Sequence, residues 1–202
     1  MIKTIIFDFG DVFINIDKPA TLREFSKFKS FRFTKKEQAI NELYETGGIS
    51  TSEFINHYKV LLPEATEEQL ISAWNAILLD FPKHRLDFIQ QLASEKKYKL
   101  ILLSNTNELH IDWIKKNIAF YPEFKNSFNT FYLSQEIGFR KPNRDIFEFV
   151  LNQNNITPSE TLFIDDTKAN TDTASSLGIH IWNNNPSTED VTNLFTIKSE
   201  LF

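Results

Sequence analysis

Short apolar runs that end abruptly in polar groups alternate along this chain with stretches whose apolar residues return every three or four positions. The runs are Thr4-Ile5-Ile6-Phe7, Tyr98 to Leu103, Thr130 to Leu133, Thr161 to Ile164 and Ile179 to Trp182. Runs of this length bounded by turn signals predict strands buried on both faces. The intervening stretches predict helices. From Thr21 to about Leu79 the pattern is helical, with Pro19 suited to a helix start. Thr21 with Glu24, Ser50 with Glu53 and Thr66 with Gln69 have capping-box spacing. Phe54, Ile55, Tyr58, Leu61 and Leu62 form one apolar face, and Leu70, Ile71, Trp74, Ile77 and Leu78 repeat that spacing. Further helices are predicted from Leu86 to Leu92, Glu108 to Ile118, Asp145 to Leu151 and Thr167 to Leu177, the last closed by Gly178. Strands alternating with helices predict an α/β fold with a doubly wound parallel sheet. The helical stretch after the first strand reads as an insertion into it.

Composition narrows the class. With 202 residues the chain can hold one α/β core plus a small accessory unit. The net charge of −5 and the absence of a basic block argue against nucleic acid as a partner. No apolar run approaches the ~20 residues of a membrane helix, and Asp8 interrupts the N-terminal run before it could serve as a signal peptide. Zero cysteines leave no disulfide framework and no thiolate metal site, as suits a cytoplasmic protein. The 20 phenylalanines fit core packing better than a substrate pocket.

Candidate chemistry sits at the tips of the runs. Asp8-Phe9-Gly10 follows the first, Ser104-Asn105-Thr106 the second, and Asp165-Asp166 the fourth, with Gly138-Phe139-Arg140-Lys141-Pro142 between. The carboxyl edge of an open α/β sheet is where ligands bind. Taken singly, each tip has a plainer use: Asp8 capping a turn, Ser104 and Asn105 capping the following helix, Lys141 in a surface turn, Arg140 in a surface ion pair. An aspartate, a hydroxyl, a lysine and an acidic pair in this order, each closing an apolar run, favour a common site.

These four stretches, with Tyr132-Leu133-Ser134-Gln135, resemble the motifs of the haloacid dehalogenase (HAD) superfamily over nearly the whole chain. The resemblance is closest to its small sugar phosphatases, the group typified by α-D-glucose-1-phosphate phosphatase. It implies a Rossmann-like core at 1–17 and 82–202 with an α-helical cap at 18–81. It also implies Mg2+-dependent hydrolysis of a small phosphorylated metabolite, a sugar phosphate by preference. Asp8 is then the nucleophile that forms an aspartyl phosphate. Mg2+ takes oxygens from Asp8, the Gly10 carbonyl and the acidic pair. Asp166 aligns with the family's usual direct ligand, and Asp165 stands beside it. Ser104 and Asn105 donate to the phosphate, and Lys141 neutralises it and holds Asp8 with the acidic pair.

One position departs from the pattern. Most phosphatases of this type carry a second aspartate two residues after the nucleophile, as general acid and base. Here that position is Gly10. Asp11, His110 or water remain as substitutes, and Asn170 stands where many relatives have an aspartate. The loss motivates an alternative reading: a phosphate-binding or regulatory protein that kept the fold without turnover. Two other families are excluded. Asp8-Phe9-Gly10 spells a kinase metal-binding triplet but lacks the preceding kinase loops. A receiver domain places its acidic pair first, whereas here it comes last.

Overall fold

A computed structural model describes residues 1–202. The chain opens with β1 (Thr4–Phe7), followed by α1 (Ala20–Phe25), α2 (Lys35–Glu45), α3 (Thr51–Leu61), α4 (Glu67–Asn75) and α5 (Lys83–Glu95). Next come β2 (Lys99–Ser104), α6 (Glu108–Asn117), α7 (Tyr121–Asn126), β3 (Thr130–Leu133), α8 (Ser134–Ile137) and α9 (Arg144–Asn154). The chain ends with β4 (Thr161–Asp165), α10 (Lys168–Ser176), β5 (His180–Asn183) and α11 (Leu194–Ile197). The five strands form one parallel sheet in the order β3-β2-β1-β4-β5. β1 is central, with Phe7 opposite Leu102 on one side and Ile164 on the other. The chain winds from β1 through β2 to β3, then crosses to β4 on the opposite side of β1. That reversal opens a crevice beside the carboxyl end of β1.

Alternation along the strands fills both faces. Ile5, Phe7, Leu100, Leu102, Leu162 and Ile164 enter one core, while Ile6, Ile101, Leu103 and Phe163 enter the other. Seven phenylalanines, Phe7, Phe9, Phe13, Phe81, Phe124, Phe128 and Phe131, form a chain of ring contacts within or against the first core.

Helices α1 to α4 build a further hydrophobic cluster around Phe25, Phe54, Tyr58, Leu70 and Trp74, which Leu109 of α6 joins. Capping boxes form at Ser50–Glu53 and Thr66–Gln69. The expected box at Thr21–Glu24 does not form: the N-cap is Pro19, two residues earlier, and the Thr21 hydroxyl donates instead to the Trp74 carbonyl at 3.1 Å. A third box stands at Thr34–Glu37, which opens α2. The segments that enter and leave this helical unit run side by side. Asp17 N donates to Ile77 O at 2.8 Å, Asn15 N to Asp80 O at 2.9 Å, and Ile16 bridges Leu78 in antiparallel fashion. The unit also rests on α8 at Gly47, where an added Cβ would lie 2.4 Å from the Gln135 carbonyl oxygen.

Arg85 of α5 is buried and ties three distant segments together. Its Nη1 donates to Phe13 O at 3.2 Å and Asn15 Oδ1 at 2.9 Å, and its Nε to Asp190 Oδ2 at 2.9 Å. Burial alone would raise the Asp190 pKa. Hydrogen bonds from Thr192, His84 and Arg85 outweigh it and hold the carboxyl below the usual range. Asp190→Asn is therefore expected to cost about 2 kcal/mol of stability at pH 7, towards the low side for a broken buried pair because the carboxylate is only partly covered. A depressed carboxyl stabilises above its unfolded pKa and loses that contribution as pH falls. The gap between the urea-unfolding curves of wild type and variant should therefore begin to close below about pH 4 and go on narrowing as the pH is lowered further. A gap of the same size at pH 7 and in acid would contradict this.

Candidate active site

β1 ends at Phe7, and the Asp8 amide donates to the Ile164 carbonyl at 2.9 Å, extending the β1–β4 pairing by one residue. Asp8 and Asp165 thus emerge side by side at the carboxyl edge of adjacent strands. Lys141, carried by the loop between α8 and α9, reaches between them. Its Nζ lies 2.7 Å from Asp8 Oδ1 and 2.6 Å from Asp165 Oδ2, and its side chain is 1% exposed. Burial opposes the lysine's charge, but the two carboxylates outweigh it and raise its pKa, so it is a fixed cation. Burial pushes Asp8 up to about 7, against the pull of Lys141 and with the help of Asp165.

The lysine is held from behind. The Asn105 side chain accepts from Lys141 N at 2.9 Å and donates to Lys141 O at 2.7 Å. Both of its amide atoms are engaged with main chain, although the residue lines the cavity. Ser104 is buried beneath, with its hydroxyl 3.4 Å from the Asn105 carbonyl, and does not line the cavity. Ser134 is fully buried and clamps the same loop, accepting from Thr106 N at 2.9 Å and donating to Thr106 O at 3.0 Å.

Asp165 is saturated. It accepts from Lys141, from Thr167 N at 2.7 Å, and from Asn170 Nδ2 on both oxygens at 3.1 and 2.9 Å. Asn170 can donate to Asp165 where a carboxylate would repel it. Carboxylate oxygens of Asp8, Asp165 and Asp166 all lie within 4.8 Å of one another. Asp8 Oδ2, Asp166 Oδ1 and the Gly10 carbonyl accept no hydrogen bond from the protein. Three free hard oxygens beside a saturated fourth group fit a divalent cation of the Mg2+ type.

The candidates for general acid and base separate clearly. His110 is not in the site. Its ring is half-buried, stacked on Trp74 at 5.4 Å, with Nδ1 3.1 Å from the Asn107 side-chain nitrogen and Nε2 3.3 Å from the Trp74 carbonyl oxygen. Burial lowers its pKa to about 4, so it packs as a neutral ring. Asp11 adopts the left-handed conformation (φ 55°). Strand alternation, which would turn it away from the site, no longer applies there. Its Oδ1 accepts from Ile16 N at 3.2 Å, and its Oδ2 lies 3.2 Å from Lys18 Nζ.

Two cations complete the lining. Lys18, which follows Asp17 on the outgoing linker, pairs with Asp166 as well as Asp11. No local pattern in the sequence singles it out. Arg140 lines the cavity and also reaches the helical unit: Nε and Nη2 donate to Glu45 Oε2 at 3.1 and 3.0 Å, and Nη1 lies 3.2 Å from Glu42 Oε1. The cavity over Asp8 measures about 300 Å³, and no aromatic ring lines it.

The family model described as haloacid dehalogenase-like hydrolase matches residues 2–178. A D-ribitol-5-phosphate phosphatase of Bacteroides thetaiotaomicron is 34% identical over 191 residues, covering 88% of this chain and 89% of its own. A HAD family enzyme from the same organism, solved with magnesium and inorganic phosphate, superposes with a TM-score of 0.84 at 33% identity, over 96% of this chain and all of the other. A HAD-like family hydrolase of Porphyromonas gingivalis has a TM-score of 0.82 at 30% identity, over 100% of this chain and 98% of its own.

Proposed function

The chain belongs to the haloacid dehalogenase-like hydrolases, and from that premise we propose that it is a Mg2+-dependent phosphatase that releases phosphate from a small phosphorylated sugar or sugar alcohol. The observation that carries the proposal is Lys141, sealed between Asp8 and Asp165 below a cavity that also receives Asp166. A phosphate monoester brings two negative charges. A buried carboxylate can attack it only where fixed cations cancel the field.

Asp8 is the nucleophile. Its Oδ1 is fixed by Lys141, and the crevice directs the carboxylate into the cavity. Lys141 binds the phosphoryl oxygens as they approach; Asn105 holds its main chain, and Ser134 holds the loop that carries Asn105. Asp8, Asp166 and the Gly10 carbonyl hold Mg2+, which supplies Lewis-acid neutralisation of the phosphoryl charge. Asp165 acts through Lys141 and Asn170 as a positioning residue. The cavity's volume and lack of aromatic lining favour a polyol chain over a nucleobase, which stacks on rings.

The test is phosphate release with Mg2+ over a panel containing ribitol 5-phosphate, aldose phosphates and nucleotides. Release confined to the sugar and polyol esters is expected. A protein that binds Mg2+ but releases phosphate from none of them would instead be a phosphate-binding relic, as Gly10 alone would suggest.

Protons and metal compete for the site in the metal-free protein. A carboxyl raised to about 7 holds its proton below that pH and must lose it to bind a cation. Mg2+ binding measured by calorimetry should therefore be about tenfold weaker at pH 6 than at pH 8. Affinity that does not change across that range would contradict a raised Asp8.

A further inference from the structure

Position 10 has no side chain, yet the space above it is filled. A Cβ built on Gly10 would lie 3.3 Å from Ile16 Cδ1. Ile16 belongs to the linker that leaves the core, and it lines the same cavity as Gly10 and Asp8. Two residues on, Lys18 lines that cavity too. Its ammonium rests between Asp166 and Asp11, and its side chain is 55% exposed. The other cations of the lining are committed elsewhere: Lys141 to Asp8 and Asp165, Arg140 to Glu45 and Glu42. Lys18 is thus the cation of the lining that keeps both a long flexible stem and access to solvent at the cavity rim.

On the phosphatase reading above, we propose that Lys18 is a catalytic residue that donates a hydrogen bond from its ammonium to the ester oxygen of the leaving group. The linker then supplies, from residues 16 to 18, a group acting where Gly10 offers none. In the first step an Asp8 oxygen forms a bond to phosphorus, and the bond from phosphorus to the ester oxygen breaks. That oxygen leaves with the electron pair. The alkoxide of a sugar alcohol is a poor leaving group, and a charge-assisted hydrogen bond lowers its cost as the charge develops. The alkoxide takes its proton from water. The hydroxide so formed attacks the aspartyl phosphate, which restores the Asp8 carboxylate and frees inorganic phosphate. Lys18 keeps its proton throughout. Asp11, whose Oδ2 lies 3.2 Å from the ammonium, would anchor it with a metal ion held at Asp166.

The leaving group itself provides the test. Lys18→Met and Lys18→Arg are compared with wild type on ribitol 5-phosphate and on p-nitrophenyl phosphate, whose phenolate leaves without help. Lys18→Met is expected to lose on the order of 10²–10³ in kcat/KM on the alkyl ester, the cost of one donor to a developing anion. It should lose less than about tenfold on the aryl ester, and Lys18→Arg should recover part of the difference. Mg2+ titration by calorimetry gives a second readout. Lys18→Met should bind Mg2+ at least as tightly as wild type, because a competing cation has left Asp166. An equal loss on both esters, no loss on either, or weakened Mg2+ binding would overturn the assignment while leaving the phosphatase reading in place. A wild-type protein that hydrolyses neither these two esters nor any aldose phosphate overturns both.

Discussion

Asp8→Asn is expected to abolish Mg2+-dependent phosphate release, with a loss on the order of 10⁴-fold or more in kcat on every substrate the wild type accepts. The amide keeps the shape of the carboxyl and can still accept from Lys141 Nζ through Oδ1. What it loses is the nucleophilic oxygen and one negative ligand for the metal. Stability should change little, because the amide relieves the burial cost that raises the Asp8 pKa. Thermal unfolding and circular dichroism of the variant therefore serve as the control that the fold persists. Residual activity within about tenfold of wild type would remove Asp8 from the nucleophile's role.

Lys141→Met is expected to damage both catalysis and stability, and the two losses differ in their pH dependence. Activity should fall by on the order of 10³-fold or more, since the phosphoryl group loses its buried cation. Stability at pH 8 should fall by about 3–5 kcal/mol, the range for removing one partner of a buried ion pair. Asp8 then has no side-chain partner, while Asp165 keeps Thr167 and Asn170. Asp8 already lies above its ordinary pKa, and without Lys141 it rises further. An acid with a raised pKa binds more protons folded than unfolded, so its stability falls as pH climbs through that window. The penalty should therefore shrink towards pH 5, where Asp8 enters the folded protein as a neutral acid. Urea unfolding at pH 5.5 and pH 8 reads the difference directly. A penalty independent of pH would mean that the lysine's stem, rather than its charge, accounts for the loss.

The strands could be read from the sequence because each is a run buried on both faces. Asp8, Ser104 and Asp165 could be assigned to one edge because parallel strands end together. The order of the strands could not be read, since nothing local in β4 says that it pairs with β1 rather than with β3. The short helices α7, α8 and α11 have too few turns to show a period, and they were not anticipated. Thr34–Glu37 has the same spacing as Thr21–Glu24, but Thr21 lies inside α1, capped at Pro19, and spends its hydroxyl on the Trp74 carbonyl. His110 reads as available in sequence because Trp74, which covers its ring, meets it only after α4 folds against α6. Asn105 could be seen as a donor at a strand tip, but not that both its amide atoms would be spent on the Lys141 main chain. Lys18 carries no signal at all. An exposed lysine in a linker becomes a cavity residue only because the linker doubles back over Gly10.

The paired linkers have an evolutionary reading. Residues 18 to 76 begin and end at one hydrogen-bonded pair, Asp17 with Ile77, so the two cut points are neighbours in space. A turn of about two residues suffices to close such a pair. Inserts of different length or shape can therefore be exchanged at this doorway without altering the register of the sheet or the carboxylates at its edge. The price falls on Lys18, which stands just inside the boundary and must be kept by any incoming cassette.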